Sequence, residues 1–470
     1  MPKTAEDVRP AASTSTRRPR SLPRLAWLIG PALVAGVAYL DPGNVASNMT
    51  AGARYGYLLV WVVVLGNVMA WLIQYLSAKL GIVTGRSLPE TLGIRIRSRW
   101  GRRAYWLQAE LVAMATDIAE VIGGAVALNL LFAVPLLWGG VITGAVSITL
   151  LLIQSRRGPR PFEFVIIGLL AIIAIGFSFG VFVAPPDPAG VIAGLVPRFE
   201  GTDSVLLAAS ILGATIMPHA IYAHSALARD RFAPTVDKLD VVTPGRRAKS
   251  RDRVAEHLDQ SPRAGQGSGL SDRTAPDATL AELRGIPTSR LLRATKWDVT
   301  IAMLIAGTVN LCILLLAAAN LAGVPGTDSL EGAYAALYAG LGPLVATLFA
   351  VGLLASGLAS TSVGAYAGAE IMHGLLHVRV PLLARRLVTL IPALAILAIG
   401  VDPTLALVLS QVVLSFGIPF ALIPLVALTA KSDVLGGYRN RVWTTIAGIA
   451  ASVFLITLNG VLLWLVLTGS

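Results

Sequence analysis

Stretches of about twenty apolar residues recur along almost the whole of this 470-residue chain. Each is long enough to cross a hydrocarbon core of about 30 Å. No water satisfies exposed backbone groups in lipid, so a spanning segment bonds internally and a helix is its natural form. A membrane barrel would show short segments of alternating polarity instead, and none is visible. The residue balance agrees: 14% of residues are charged, against about 25% in soluble domains, and mean hydropathy is +0.71. These features require an all-α polytopic membrane protein.

Eleven spans are expected, at 25–48, 57–84, 104–133, 137–154, 162–184, 204–228, 298–322, 343–376, 386–400, 403–430 and 441–468. Arginines and lysines cluster in alternate connections. Arg17, Arg18, Arg20 and Arg24 precede the first span. Arg95, Arg97, Arg99, Arg102 and Arg103 follow the second, and Arg156, Arg157 and Arg160 the fourth. Arg379, Arg385 and Arg386 follow the eighth, and Lys431, Arg439 and Arg441 the tenth. Arg54 and Arg198 are the exceptions. The positive-inside rule then puts the N-terminus in the cytoplasm, and an odd number of spans puts the C-terminus outside. The net charge of +12 is thus a sign of topology, and no nucleic-acid partner is expected.

Residues 1–24 are polar and basic without an apolar core, so they read as a disordered cytoplasmic tail ahead of a transmembrane domain at 25–470. Residues 229–297 are rich in Gly, Ser and Arg and read as a long disordered cytoplasmic loop. The single cysteine, Cys312, excludes an intramolecular disulfide and a thiolate cluster.

An ionisable residue at mid-helix in a membrane costs about 2.5–3.5 kcal/mol on insertion scales, so each is a functional candidate. Asp41–Pro42–Gly43–Asn44 stands in the middle of the first span. Pro removes a backbone donor and clashes with the preceding turn, which breaks the helix at membrane depth. Such backbone is tolerated only where protein buries it or a cavity meets it. Gly213–Ala214–Thr215–Ile216–Met217–Pro218–His219 interrupts the sixth span in the same way. Breaks in the first and sixth spans suit two five-span repeats of opposite orientation, about 25–184 and 204–430, with an extra helix at 441–468. Interrupted segments at matching places in two halves are a pointer to a transport site. In span three, Glu110, Asp117 and Glu120 share one helical face. They suit a proton relay or an ion-pair ladder, with Arg385 and Arg386 as candidate partners. Gln411 in span ten is a further intramembrane polar group.

If Asp41, Asn44 and Met217 meet, the set holds a carboxylate, an amide and a thioether, with opened carbonyls such as that of Ala214 adding oxygen. A thioether has no use for Mg2+ or Ca2+, so the mixture favours Mn2+, Fe2+, Co2+ or Cd2+. Asp41 must lose its proton to bind a cation, which makes protons competitors or coupling ions. His219 titrates near neutral pH in water.

These residues resemble the natural resistance-associated macrophage protein (Nramp) family of proton-coupled divalent metal transporters. The resemblance rests on Asp41–Pro42–Gly43–Asn44, on Met217–Pro218–His219 with Tyr222 and His224, on Ala115–Thr116–Asp117–Ile118–Ala119–Glu120 and on Ser410–Gln411–Val412–Val413–Leu414–Ser415. It implies a LeuT-like fold, with metal held by Asp41, Asn44, Met217 and the Ala214 carbonyl, joined by Gln411 in some states. It implies a proton path through Asp41, His219, Asp117 and Glu120, with Glu110, Arg385 and Arg386 in the accompanying network. It further implies import driven by the inward proton gradient. A monomer in the plasma membrane, without cofactor or catalytic residue, is expected. Ala369 and Gly417 stand where the family usually has Gln, and the 229–297 loop is longer than usual. Two other readings remain at this point: an amino-acid or amine symporter of the same fold, and a metal sensor that does not transport.

Overall fold

The structure, a computed structural model, describes residues 31–157, 159–232, 287–378 and 381–469. Every regular element among them is helical. The first span is interrupted: α1 (Pro31–Gly36) runs into a 3-10 turn (Val37–Leu40), stops at Asp41, and resumes as α2 (Pro42–Tyr55). Then follow α3 (Val60–Thr84), α4 (Leu88–Arg95), α5 (Arg99–Phe132), α6 (Leu136–Arg157), α7 (Pro159–Val183) and α8 (Pro188–Ala193). The second interrupted span is α9 (Gly201–Ile216) and α10 (Pro218–Phe232). The chain continues with α11 (Thr288–Asn320), α12 (Leu330–Leu341), α13 (Pro343–Leu376), α14 (Leu382–Ala398), α15 (Pro403–Ala430), α16 (Ser432–Leu435) and α17 (Val442–Thr468).

Among the described residues, eight segments are long and apolar enough to cross a membrane, with α9 and α10 counted together. The other three expected spans fall on the interrupted α1–α2, on α6, whose apolar part is Leu136–Leu150, and on the 17-residue α14. The tail at 1–24 lies outside the described residues. So does the middle of the 229–297 segment, whose edges are narrower than expected: α10 continues to Phe232 and α11 begins at Thr288.

Local chemistry sets the helix starts. Ser98 accepts the Gly101 N–H and starts α5 several residues before its apolar part. Ser87 and Glu90 form a capping box at α4. Asp402 and Pro403 start α15. Helix α12 is too short to span and lies between two expected spans. Ser329 caps it, and Leu330, Ala333 and Leu337 bury one face.

The breaks are stabilised from other helices. Where the first span stops, the Tyr39 carbonyl accepts from Asn310 Nδ2 of α11 at 2.9 Å and the Leu40 carbonyl accepts from the Ser356 hydroxyl of α13. Two prolines inside α15 free two more carbonyls four residues back. That of Ser415 takes Asn459 Nδ2 of α17 at 3.0 Å, and that of Phe420 takes the Tyr105 hydroxyl of α5 at 2.5 Å.

Close helix approach then fixes where the breaks lie. A Cβ on Gly213 would sit 1.9 Å from the Gln411 carbonyl oxygen, and one on Gly43 would sit 1.8 Å from Gln411 Nε2. Helix α15 therefore passes both interrupted spans at glycine. Gly123 does the same for α5, where a Cβ would meet the Pro42 ring at 2.1 Å. Gly213→Ala forces backbone apart, an overpacking cost of about 1–3 kcal/mol. The expected result is a lower melting temperature in detergent. Gly168→Ala, at a position with open space around it, should leave the melting temperature unchanged.

Candidate metal centre and buried charge network

Asp41 occupies the N-cap of α2, where an extended backbone points its carboxylate back at the opening helix. Its Oδ1 accepts from the Asn44 N–H at 2.8 Å and from Asn44 Nδ2 at 2.9 Å. The same Nδ2 donates to the Ala214 carbonyl at 2.9 Å. That carbonyl is free because its helical partner would be residue 218, a proline. The two breaks are thereby joined through one amide. Gln411 Nε2 approaches the other Asp41 oxygen at 3.3 Å. Met217 caps α9 with φ 35° and ψ 99°. A positive φ at a long side chain is rare and strained, and costs of order 1–3 kcal/mol. Asp41, Asn44, Ala214, Met217 and Gln411 are all fully buried. The amide oxygens Asn44 Oδ1 and Gln411 Oε1 have no hydrogen-bond partner.

No group of three or more His, Cys, Asp or Glu among the described residues is placed to hold a metal. The donors gathered at the breaks are of other kinds: one carboxylate, two amide oxygens, one main-chain carbonyl and one thioether. Such a set can bind a borderline divalent ion and release it, since it lacks a thiolate.

Beside the breaks lies a buried ionic network between α5 and α14. Arg385 pairs through Nε with Glu110 at 3.0 Å and through Nη1 with Asp117 at 2.9 Å. Arg386, with no exposed surface, reaches Asp117 at 2.9 Å and Glu120 at 3.2 Å through Nη1. It also donates from Nε to Ser147 and from Nη2 to Thr361. Three carboxylates thus face two guanidiniums, and Glu120 Oε1 has no hydrogen-bond partner. On α10, His219 Nδ1 lies 3.1 Å from the Thr116 hydroxyl, so His219 contacts the acidic helix one residue before Asp117.

Sequence reasoning missed several polar partners. Gln74 of α3 joins His224 at 2.6 Å and also donates to the Tyr39 hydroxyl. Asn310 and Ser356 hold the first break. Each is a polar residue in an apolar span, and that was the available signal. Thr116 and Ser147 gave none, because a hydroxyl can bond its own helix carbonyl, as both do here.

Removing one partner of a buried ion pair leaves a charge uncompensated, at about 3–5 kcal/mol. Arg386→Ala should therefore sharply reduce folded yield from membranes, measured by fluorescence-detected gel filtration. Arg386→Lys should recover only part of it, because an ammonium cannot reproduce the guanidinium's fork of contacts.

Residues 32–465 match the family model described as natural resistance-associated macrophage protein-like. The divalent metal cation transporter MntH of Mycobacterium tuberculosis is 54% identical over 465 residues, covering 99% of this chain and 95% of that protein. MntH of Deinococcus radiodurans is 43% identical over 469 residues, covering 98% and 95%. Among solved structures, the Eremococcus coleocola manganese transporter superposes with a TM-score of 0.73 at 31% identity, covering 93% of this chain and 85% of that one. A nucleobase-cation-symport-1 family transporter shares the fold at a TM-score of 0.52 and 13% identity, covering 94% and 93%. This multi-pass membrane protein belongs to the Nramp family.

Proposed function

We propose that this chain imports divalent transition-metal ions across the plasma membrane, Mn2+ foremost and Fe2+, Co2+ and Cd2+ with it, using protons as coupling ions. It is a transporter and not an enzyme, and the metal is its substrate and not a resident cofactor. One observation carries the reading: a carboxylate and a freed carbonyl meet on one buried amide where two helices break, and Met217 stands at the second break. The relatives' names point the same way, since those proteins are divalent metal cation transporters.

Asn44 Nδ2 bridges Asp41 and the Ala214 carbonyl at 2.9 Å each. It satisfies two anionic or dipolar oxygens with partial positive charge. An arriving cation takes over that task, and the amide turns to offer Oδ1. Gln411 Oε1 is available in the same way. The Met217 thioether favours borderline ions over Mg2+ and Ca2+, which bind sulfur poorly. An amino-acid substrate would bring its own carboxylate to Asp41 and meet no compensating cation there.

Proton coupling follows from Asp41, which must be ionised to bind metal. His219 on α10, then Asp117 and Glu120 on α5, continue from the site. With three carboxylates against two guanidiniums, the network has one acid in excess, and that is where a proton can be carried. We further propose eleven spans in two inverted five-span repeats with one extra helix, an N-terminus in the cytoplasm, a C-terminus outside and a monomeric protein. The arginine distribution supports this orientation.

Liposomes loaded with a metal-sensitive dye test the proposal. Mn2+ should enter wild-type liposomes, and faster at an external pH of about 5.5 than at about 7.5, because inward proton flow drives uptake. Asp41→Ala should reduce uptake to that of protein-free liposomes. Met217→Ala should retain uptake but become inhibited by Mg2+ or Ca2+. Wild type that moves no Mn2+ under any gradient would contradict the reading. Met217→Ala that still ignores Mg2+ and Ca2+ would contradict the thioether's role.

A further inference from the structure

Where α15 ends and α17 begins, a cavity of about 630 Å3 is lined by Arg439, Asn440, Arg441 and Thr445, among others. Its charge is one-sided. Among the described residues, neither arginine lies within ion-pair distance of a carboxylate, while nearby Asp433 pairs with Arg95. Asn440 is buried and anchored by its N–H to the Thr429 carbonyl and by Nδ2 to the Thr429 hydroxyl. Its Oδ1 accepts from Lys79 Nζ at 3.1 Å. Lys79 is 7% exposed and has no carboxylate partner among the described residues. Behind the arginines, α17 starts at Arg441 without a side-chain cap or an acidic residue in its first turn, so its free N–H groups add positive potential.

The surroundings say which anion fits. Trp443 is 80% exposed, and Ile446, Ile449 and Val453 are exposed along α17 from the cavity into the apolar span. A tryptophan beside cations at the start of a lipid-facing stripe marks the headgroup level. We propose that this cavity binds the phosphate of an anionic phospholipid in the cytoplasmic leaflet, held by Arg439, Arg441 and the start of α17, with an acyl chain along Ile446, Ile449 and Val453. The choice of leaflet rests on the orientation proposed above; the binding itself does not. The same helix α17 grips the proline-broken part of α15 through Asn459 and Ser415, one turn from Gln411 and about 20 Å along the helix from the cavity.

Native mass spectrometry of the full chain in detergent, titrated with phosphatidylglycerol or phosphatidylcholine, tests this without requiring transport. Wild type should retain one phosphatidylglycerol that Arg439→Gln/Arg441→Gln binds about thirtyfold more weakly, as expected for two arginines at about 1 kcal/mol each. Both arginines are exposed, so the variant should keep the wild-type melting temperature. Arg97→Gln/Arg99→Gln, with the same charge loss elsewhere, should bind phosphatidylglycerol like wild type. Equal retention by the cavity variant, or equal loss in both variants, would overturn the site. Retention of phosphatidylcholine as tight as phosphatidylglycerol would overturn it as well. Displacement of phosphatidylglycerol by equimolar inorganic phosphate would overturn the lipid as occupant.

Discussion

An unpaired backbone carbonyl in the middle of a membrane protein is the constraint on which the rest of this structure depends. Such a group has no water to turn to and must find a donor in the protein. At the first break, the Tyr39 and Leu40 carbonyls are satisfied by Asn310 and Ser356, which tie α11 and α13 to the opening. At the second, Pro218 frees the Ala214 carbonyl, and its donor is the Asn44 amide from the other break. The first two carbonyls are closed by side chains set in neighbouring helices. The third is closed by a group that can turn to offer oxygen instead, so the same atoms that meet a structural need could also serve the proposed metal site.

The charge network follows the same economy of partners. A buried guanidinium is tolerable only when its donors are met, and Arg386 meets two carboxylates and two hydroxyls. Such networks add little net stability, yet losing one member is severe. Their value here is placement. Gly123 lets α5 lie against Pro42, so the acidic helix runs beside the first break. Thr116 brings it to His219 after the second break.

Much of this was legible because the informative residues break local rules. Asp41, Pro42, Met217–Pro218, His219 and the three carboxylates of α5 conflict with an apolar span, and they lie at the two breaks or on the helix packed beside them. The all-α membrane fold was legible from the length and recurrence of apolar stretches. Helix ends were less so: Ser98 extends α5 and α11 begins at Thr288, because capping and polar helical turns carry no hydropathy signal. The donors Asn310 and Ser356 were visible as polar residues but not as partners, since a polar side chain in an apolar helix can face any neighbour. Likewise, Arg54 bridges Asp203 and Asp328 from three separate parts of the chain, a meeting that only the packed structure brings about.

In the proposed site, cargo metal is held by the thioether of Met217 together with oxygen from Asp41, Asn44 and the Ala214 carbonyl. X-ray absorption at the cadmium edge, on purified protein loaded with one equivalent of Cd2+, reads that ligand shell directly. A single sulfur scatterer among oxygens is expected, lost in Met217→Ala while the oxygen shell persists. An all-oxygen shell in the wild type, or a sulfur signal unchanged by Met217→Ala, would contradict it.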